Sequence, residues 1–161
     1  KLFWKVELMS GNGYEMCDGI LDLIFSSVDS GKTILEFGSG DGTKKLVEHG
    51  YKVYSIEENV NFCNLHHDNY LHCSLVGDSY DTRTYNVQEV LDFVSDIKYD
   101  AILVDGPANG ARHNLVELFS HLNTDVVIFV DDIERRSDRQ FFNAIIDDRE
   151  FEDFERYGVI K

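Results

Sequence analysis

Positive charge is scarce in this chain. Fifteen Lys and Arg stand against thirty Asp and Glu, a net charge of −15. Affinity for nucleic acid comes largely from basic residues, so a nucleic-acid partner is not expected. Cysteine is scarce too. Cys17, Cys63 and Cys73 form no CxxC pair, and an odd number without a framework points to reduced thiols and a cytosolic (cytoplasmic) setting. A single proline and the lack of any low-complexity linker leave no domain boundary in the 161 residues, so 1–161 reads as one domain. No apolar run approaches the ~20 residues of a membrane span, and no signal peptide is visible; a membrane is not an expected partner. What the chain does have is 43% hydrophobic residues, enough for a packed core rather than disorder.

Short apolar runs alternate with amphipathic segments. Residues 33–37, 52–57, 72–76, 100–105 and 125–131 read as strands. Each is followed by a helix-like stretch, at 43–50, 60–68, 87–97, 111–122 and 137–147. Five β-then-α units in series predict an α/β fold, a mostly parallel sheet with helices on both faces. Residues 14–27 predict an amphipathic helix before the sheet, and 151–160 one further strand after it.

Ligands of such sheets sit beyond the carboxyl ends of the strands. Those ends are acidic here. They carry Glu36 with the glycines Gly38, Gly40 and Gly42, then Glu57 and Glu58, then Asp78, then Asp105, then Asp131 and Asp132. One acid at a strand end is often only a cap for the next helix; five in series are harder to treat so. The pair Asp131–Asp132 follows the apolar run Val126 to Val130, where adjacent carboxylates repel each other and resist desolvation.

The glycine turn is GxGxG, not the GxGxxG of a dinucleotide site. Glu36 precedes it and Asp41 lies inside it. Carboxylates on both sides would repel a pyrophosphate and suit a cationic, phosphate-free nucleoside. Glu57 stands at the end of the second strand, where a carboxylate can accept both ribose hydroxyls.

"ILEFGSGDGT" followed by "VYSIEEN" resembles the cofactor half of class I S-adenosylmethionine-dependent methyltransferases. The resemblance implies a Rossmann-like class I fold. It also implies S-adenosyl-L-methionine held at Glu36, Gly38, Ser39, Gly40, Glu57 and Glu58, with Asp78 near the adenine and Asp105 closing the cofactor site. On this reading residues 1–32 are an N-terminal helical or lid segment and 33–161 the cofactor-binding core.

"YDAILVDGPANGARH" and "TDVVIFVDDIERRSDRQFF" are similar to the polysaccharide methyltransferases typified by glucuronoxylan 4-O-methyltransferase. Asp105, Gly106, Pro107, Gly110, Arg112, Asp132, Glu134 and Arg135 fall on that family's motif positions. Asp131 stands where the plant enzymes have His, and Ala111 where they have Gly. Catechol-type and macrolide-sugar O-methyltransferases offer a second resemblance. Their acids at the same two strand ends hold a divalent cation, which implies a metal such as Mg2+ at Asp105, Asp131 and Asp132. The implied activity is O-methylation of a small-molecule or saccharide hydroxyl, a uronate included. Asp105, Asp131, Asp132, Arg112 and Arg135 are its catalytic candidates.

Other readings stay open. Asp131 could cap a helix while Asp132 pairs with Arg112 or Arg135. An NAD-type dehydrogenase and a non-catalytic nucleotide-binding domain are the alternative functions. Cys63, His66, His67, His72 and Cys73 crowd eleven residues. Their spacing on an expected helix and strand does not converge on a zinc ion, and Phe62 and Leu65 beside them read as core.

Overall fold

The computed structural model describes residues 16–161. Of the segment 1–32 read as helical or lid, residues 1–15 lie outside that range. The helix expected over 14–27 appears as α1 (Asp18–Ser27). The strands are β1 (Thr33–Phe37), β2 (Lys52–Glu57), β3 (Tyr70–His72), β4 (Leu75–Val76), β5 (Thr84–Tyr85), β6 (Ala101–Val104), β7 (Val127–Val130), β8 (Phe151–Asp153) and β9 (Gly158–Ile160). The remaining helices are α2 (Asp41–Glu48), α3 (Val87–Val94), α4 (Leu115–Phe119) and α5 (Arg136–Ile146).

Seven strands form one sheet in the order β3-β2-β1-β6-β7-β9-β8. Pairing is parallel from β3 through β7, and β9 runs antiparallel to both β7 and β8. The chain steps outward from β1 to β3 on one side, then returns to build β6 and β7 on the other. The reversal falls between β1 and β6, and ligands of such sheets bind beyond the carboxyl edge at such a point.

The central strands read as apolar runs because both faces of the sheet are covered. Leu35, Phe37, Ile102, Val104, Ile128 and Val130 face a core with Val90 of α3, Leu118 of α4 and the pair Phe141–Phe142 of α5. Ile34, Ala101, Leu103 and Phe129 alternate to the other face, against Ile20 and Ile24 of α1 and Leu46 of α2. Period two on the strands thus serves two cores at once.

Four local expectations change. Residues 60–68 hold one 3-10 turn, Val60–Phe62, in place of a helix. The Asn59 side chain accepts the Asn61 N–H, and Asn64 takes a left-handed φ of 56°; such side chains offer the backbone an alternative to the helix. Phe62 and Leu65 are consequently exposed, not core. The third sheet strand is Tyr70–His72, not 72–76, and Leu75–Val76 pairs instead with Thr84–Tyr85 in a small antiparallel ribbon. Residues 111–122 form a 3-10 turn at Arg112–Asn114 running into the short α4. The expected strand over 151–160 is two, β8 and β9, folded back as a hairpin.

Candidate functional site

The glycine loop joins β1 to α2. Gly38 has φ +92°, and a Cβ there would lie 2.8 Å from the Gly106 nitrogen. The loops after β1 and β6 therefore touch backbone to backbone, which only glycine permits at that φ. Glu58 ties the second loop across the first: its carboxylate accepts from Ala108 N (3.0 Å) and Asn109 N (3.1 Å).

The acids of this half differ in access. Glu36 is fully buried beneath the loop. It accepts from Ser55 Oγ at 2.6 Å and from Thr43 Oγ1 at 3.0 Å. Burial pushes its carboxyl up to about 8; the two hydroxyls pull it down, and Asp105 and Glu57 add to the rise. Glu36 shapes the loop from below rather than lining its outer side. Glu57 accepts from Ser39 N (2.8 Å) and Asn59 N (2.7 Å), with its carboxyl raised to about 7 by burial and by Glu58. Asp78 is a correction. It lies exposed in the turn between β4 and β5, where Thr82 Oγ1 caps its N–H, because the chain has left the sheet at Cys73.

The second half explains the paired aspartates. Arg112 is 4% exposed and reaches into the carboxyl edge. It donates to the Asp131 carbonyl (2.8 Å) and the Asp105 carbonyl (2.6 Å). It also pairs with Asp138 at 2.8 Å, Asp132 at 3.4 Å and Asp105 at 3.6 Å. One guanidinium thus fastens the ends of β6 and β7 to the first turn of α5. Arg112, a catalytic candidate from the sequence, is not on an open surface; its guanidinium is engaged by these strand-end partners. Arg135 is half exposed and pairs with Asp132 at 2.9 Å. Asp131 accepts the Cys17 N–H at the start of α1, and Asp132 sits at φ +60°, a conformation aspartate tolerates better than most residues.

Asp105, Asp131 and Asp132 each bring a carboxylate oxygen within 4.8 Å of the other two. Among the described residues no other set of His, Cys, Asp or Glu converges in this way, and the Cys63–Cys73 stretch does not. Burial pushes Asp105 up to about 7, with Arg112 opposing and Asp131 and Asp132 reinforcing the rise. Burial also raises Asp131, with Asp132 adding to it. Four carboxylates (Asp105, Asp131, Asp132, Asp138) against two guanidiniums (Arg112, Arg135) leave a net −2 when all are ionised.

Beside this cluster lies a groove of about 480 Å³ whose lining includes His113, Arg135, Arg136 and Ser137 with the acids Asp81 and Asp138. It stands at the first turn of α5, whose cap residue Arg135 makes no side-chain cap bond. Sequence reasoning passed over His113 and Ser137, whose side chains meet at 3.1 Å. Nothing in the linear sequence joins residues 24 positions apart.

No protein-family model matches the chain, and no curated protein matches it. Among solved structures it is similar to a TehB-like SAM-dependent methyltransferase from Corynebacterium glutamicum. The two are 18% identical over 88% of this chain and 85% of that one, with a TM-score of 0.50. At that identity the likeness speaks to the fold. With the sheet order and the switch point between β1 and β6, the chain has the class I methyltransferase-like fold.

Proposed function

We propose that the chain is an S-adenosylmethionine-dependent O-methyltransferase acting on a hydroxyl of a small molecule or saccharide. One observation carries the reading. A glycine loop flanked by carboxylates and a second carboxylate cluster meet at the same switch point, with Gly38 against Gly106. Glu36, Asp41, Glu57 and Glu58 surround the loop, an environment that disfavours a dinucleotide pyrophosphate and favours a sulfonium. S-adenosylmethionine would supply the electrophilic methyl group. The loop backbone and Glu57 would hold its methionine and ribose parts; each carboxylate oxygen of Glu57 accepts one amide and keeps acceptor capacity for a ribose hydroxyl.

Asp105 is the best-placed base. It is about one-fifth exposed, and a carboxyl titrating near neutrality is suited to taking a proton from an acceptor hydroxyl. Asp105, Asp131 and Asp132, with carboxylate oxygens within 4.8 Å of one another, have the ligand chemistry of a divalent-cation site. A cation there would supply Lewis acidity toward the acceptor oxygen. Arg135 and Arg136 at the groove favour an acceptor with an acidic part, such as a uronate.

The test is mass spectrometry of reactions with S-adenosylmethionine over neutral sugars, uronates, catechols and amines. A product heavier by one methyl group is expected, and a uronate should outperform its neutral counterpart. Turnover of nitrogen acceptors with none of oxygen acceptors would reject the O-methyl reading.

A further inference from the structure

We propose that Tyr70 and His67 are positioning residues of the glycine loop, holding Ser39 and Glu36 through a ring of contacts that joins the end of β1, the middle of β2 and the start of β3. Only the binding readout of this proposal rests on the loop being the cofactor loop.

The ring has two arms that meet on Glu36. In one, Ser39 Oγ lies between Tyr70 Oη (2.8 Å) and Thr43 Oγ1 (3.1 Å), and Thr43 donates to Glu36. In the other, Ser55 Oγ lies between His67 Nε2 (3.0 Å) and Glu36 Oε2 (2.6 Å). The Tyr70 and His67 rings close the circle, stacked 4.1 Å apart at 17°.

Two backbone donors set the proton order. The Asn69 N–H points at His67 Nδ1 (3.0 Å), so that nitrogen accepts and Nε2 carries the hydrogen of a neutral ring. Burial, reinforced by His66, lowers His67 to about 4 and keeps the ring neutral. Nε2–H therefore donates to Ser55, whose own proton goes to Glu36. The Gly40 N–H donates to Thr43 Oγ1. Above about pH 8, where Glu36 is ionised, Thr43 spends its proton on the carboxylate, Ser39 donates to Thr43, and Tyr70 donates to Ser39. Every hydroxyl in the ring then has one orientation.

The consequence falls on the loop. Ser39 presents its N–H to Glu57 while its hydroxyl is gripped on both sides. Glycines at 38 and 40 leave the backbone around it little stiffness of its own. Tyr70 lies 31 positions away in sequence, yet supplies part of that stiffness.

The variant Tyr70→Phe keeps the stacked ring and removes one hydroxyl. Hydrogen exchange in the unliganded protein should show the Ser39 and Gly40 amides speeding up about five- to tenfold, as for one lost hydrogen bond. The core amides of Leu35 and Ile56 should stay unchanged. The KM for S-adenosylmethionine should rise by a similar factor, with kcat and the acceptor KM unaltered. In a Ser39→Ala background, Tyr70→Phe should add nothing, because it acts through that hydroxyl. Unchanged Ser39 exchange, uniform acceleration through β1, or full additivity with Ser39→Ala would each overturn the proposal. If the wild-type protein binds no S-adenosylmethionine but the exchange result holds, the cofactor assignment fails and the positioning role stands.

Discussion

Arg112→Ala is expected to destabilise the protein by about 3–5 kcal/mol, the cost of leaving buried carboxylates without their counter-charge. The substitution strands Asp138 at 4% exposure and leaves Asp132, at 7%, to Arg135 alone. It also removes the donor from two strand-end carbonyls, those of Asp105 and Asp131. Arg112→Lys should recover little, since one ammonium cannot span carbonyls and carboxylates that the planar guanidinium reaches from two nitrogens. Urea unfolding at neutral pH reads the effect directly. A loss below about 1 kcal/mol, within the range of a surface ion pair, would mean the cluster is compensated by something other than Arg112.

Asp105→Asn should lower kcat for methyl transfer by roughly 10²–10⁴-fold, the usual contribution of a positioned general base. The wild-type pH profile carries the sign. A base works when deprotonated, so kcat/KM should climb through about pH 7, where burial and its acidic neighbours place Asp105, and level off above it. Chelation separates the two uses of the cluster. If a divalent cation sits on Asp105, Asp131 and Asp132, a chelator abolishes turnover, Mg2+ or Mn2+ restores it, and the rising limb lies at lower pH with the metal bound. If Asp105 acts alone, chelation changes nothing and the limb stays near 7. Full activity of Asp105→Asn would remove Asp105 from the chemistry under either scheme.

The sheet was legible because its strands are buried on both faces. Val126 to Val130 and residues 101–104 carry no polar residue, and that needs helices above and below. The acids closing those runs marked the functional edge for the same reason: a charge after an apolar strand is conspicuous. Legibility failed where local chemistry outweighed pattern. Asn59, Asn61 and Asn64 turned an apparent helix into turns, and with it the third strand moved toward the N-terminus and Asp78 left the edge. It failed again where a side chain's direction depends on distant partners. The stretch "GARH" shows an arginine, but not that its head lies among Asp105, Asp131, Asp132 and Asp138. His67 read only as part of a Cys/His cluster and Tyr70 carried no reading, because Ser39 and Ser55, the partners that give them a role, lie in the loop after β1 and within β2.

The central claim is that the carboxylate-flanked glycine loop takes a sulfonium nucleoside. Calorimetric titration with S-adenosylmethionine, its demethylated product and NAD tests it most directly. The account predicts micromolar binding of the first two, none of NAD, and about 10–100-fold weaker S-adenosylmethionine binding by Glu57→Ala, as for lost hydrogen bonds to a charged acceptor. Binding of NAD in preference, or equal S-adenosylmethionine affinity for wild type and Glu57→Ala, would contradict it.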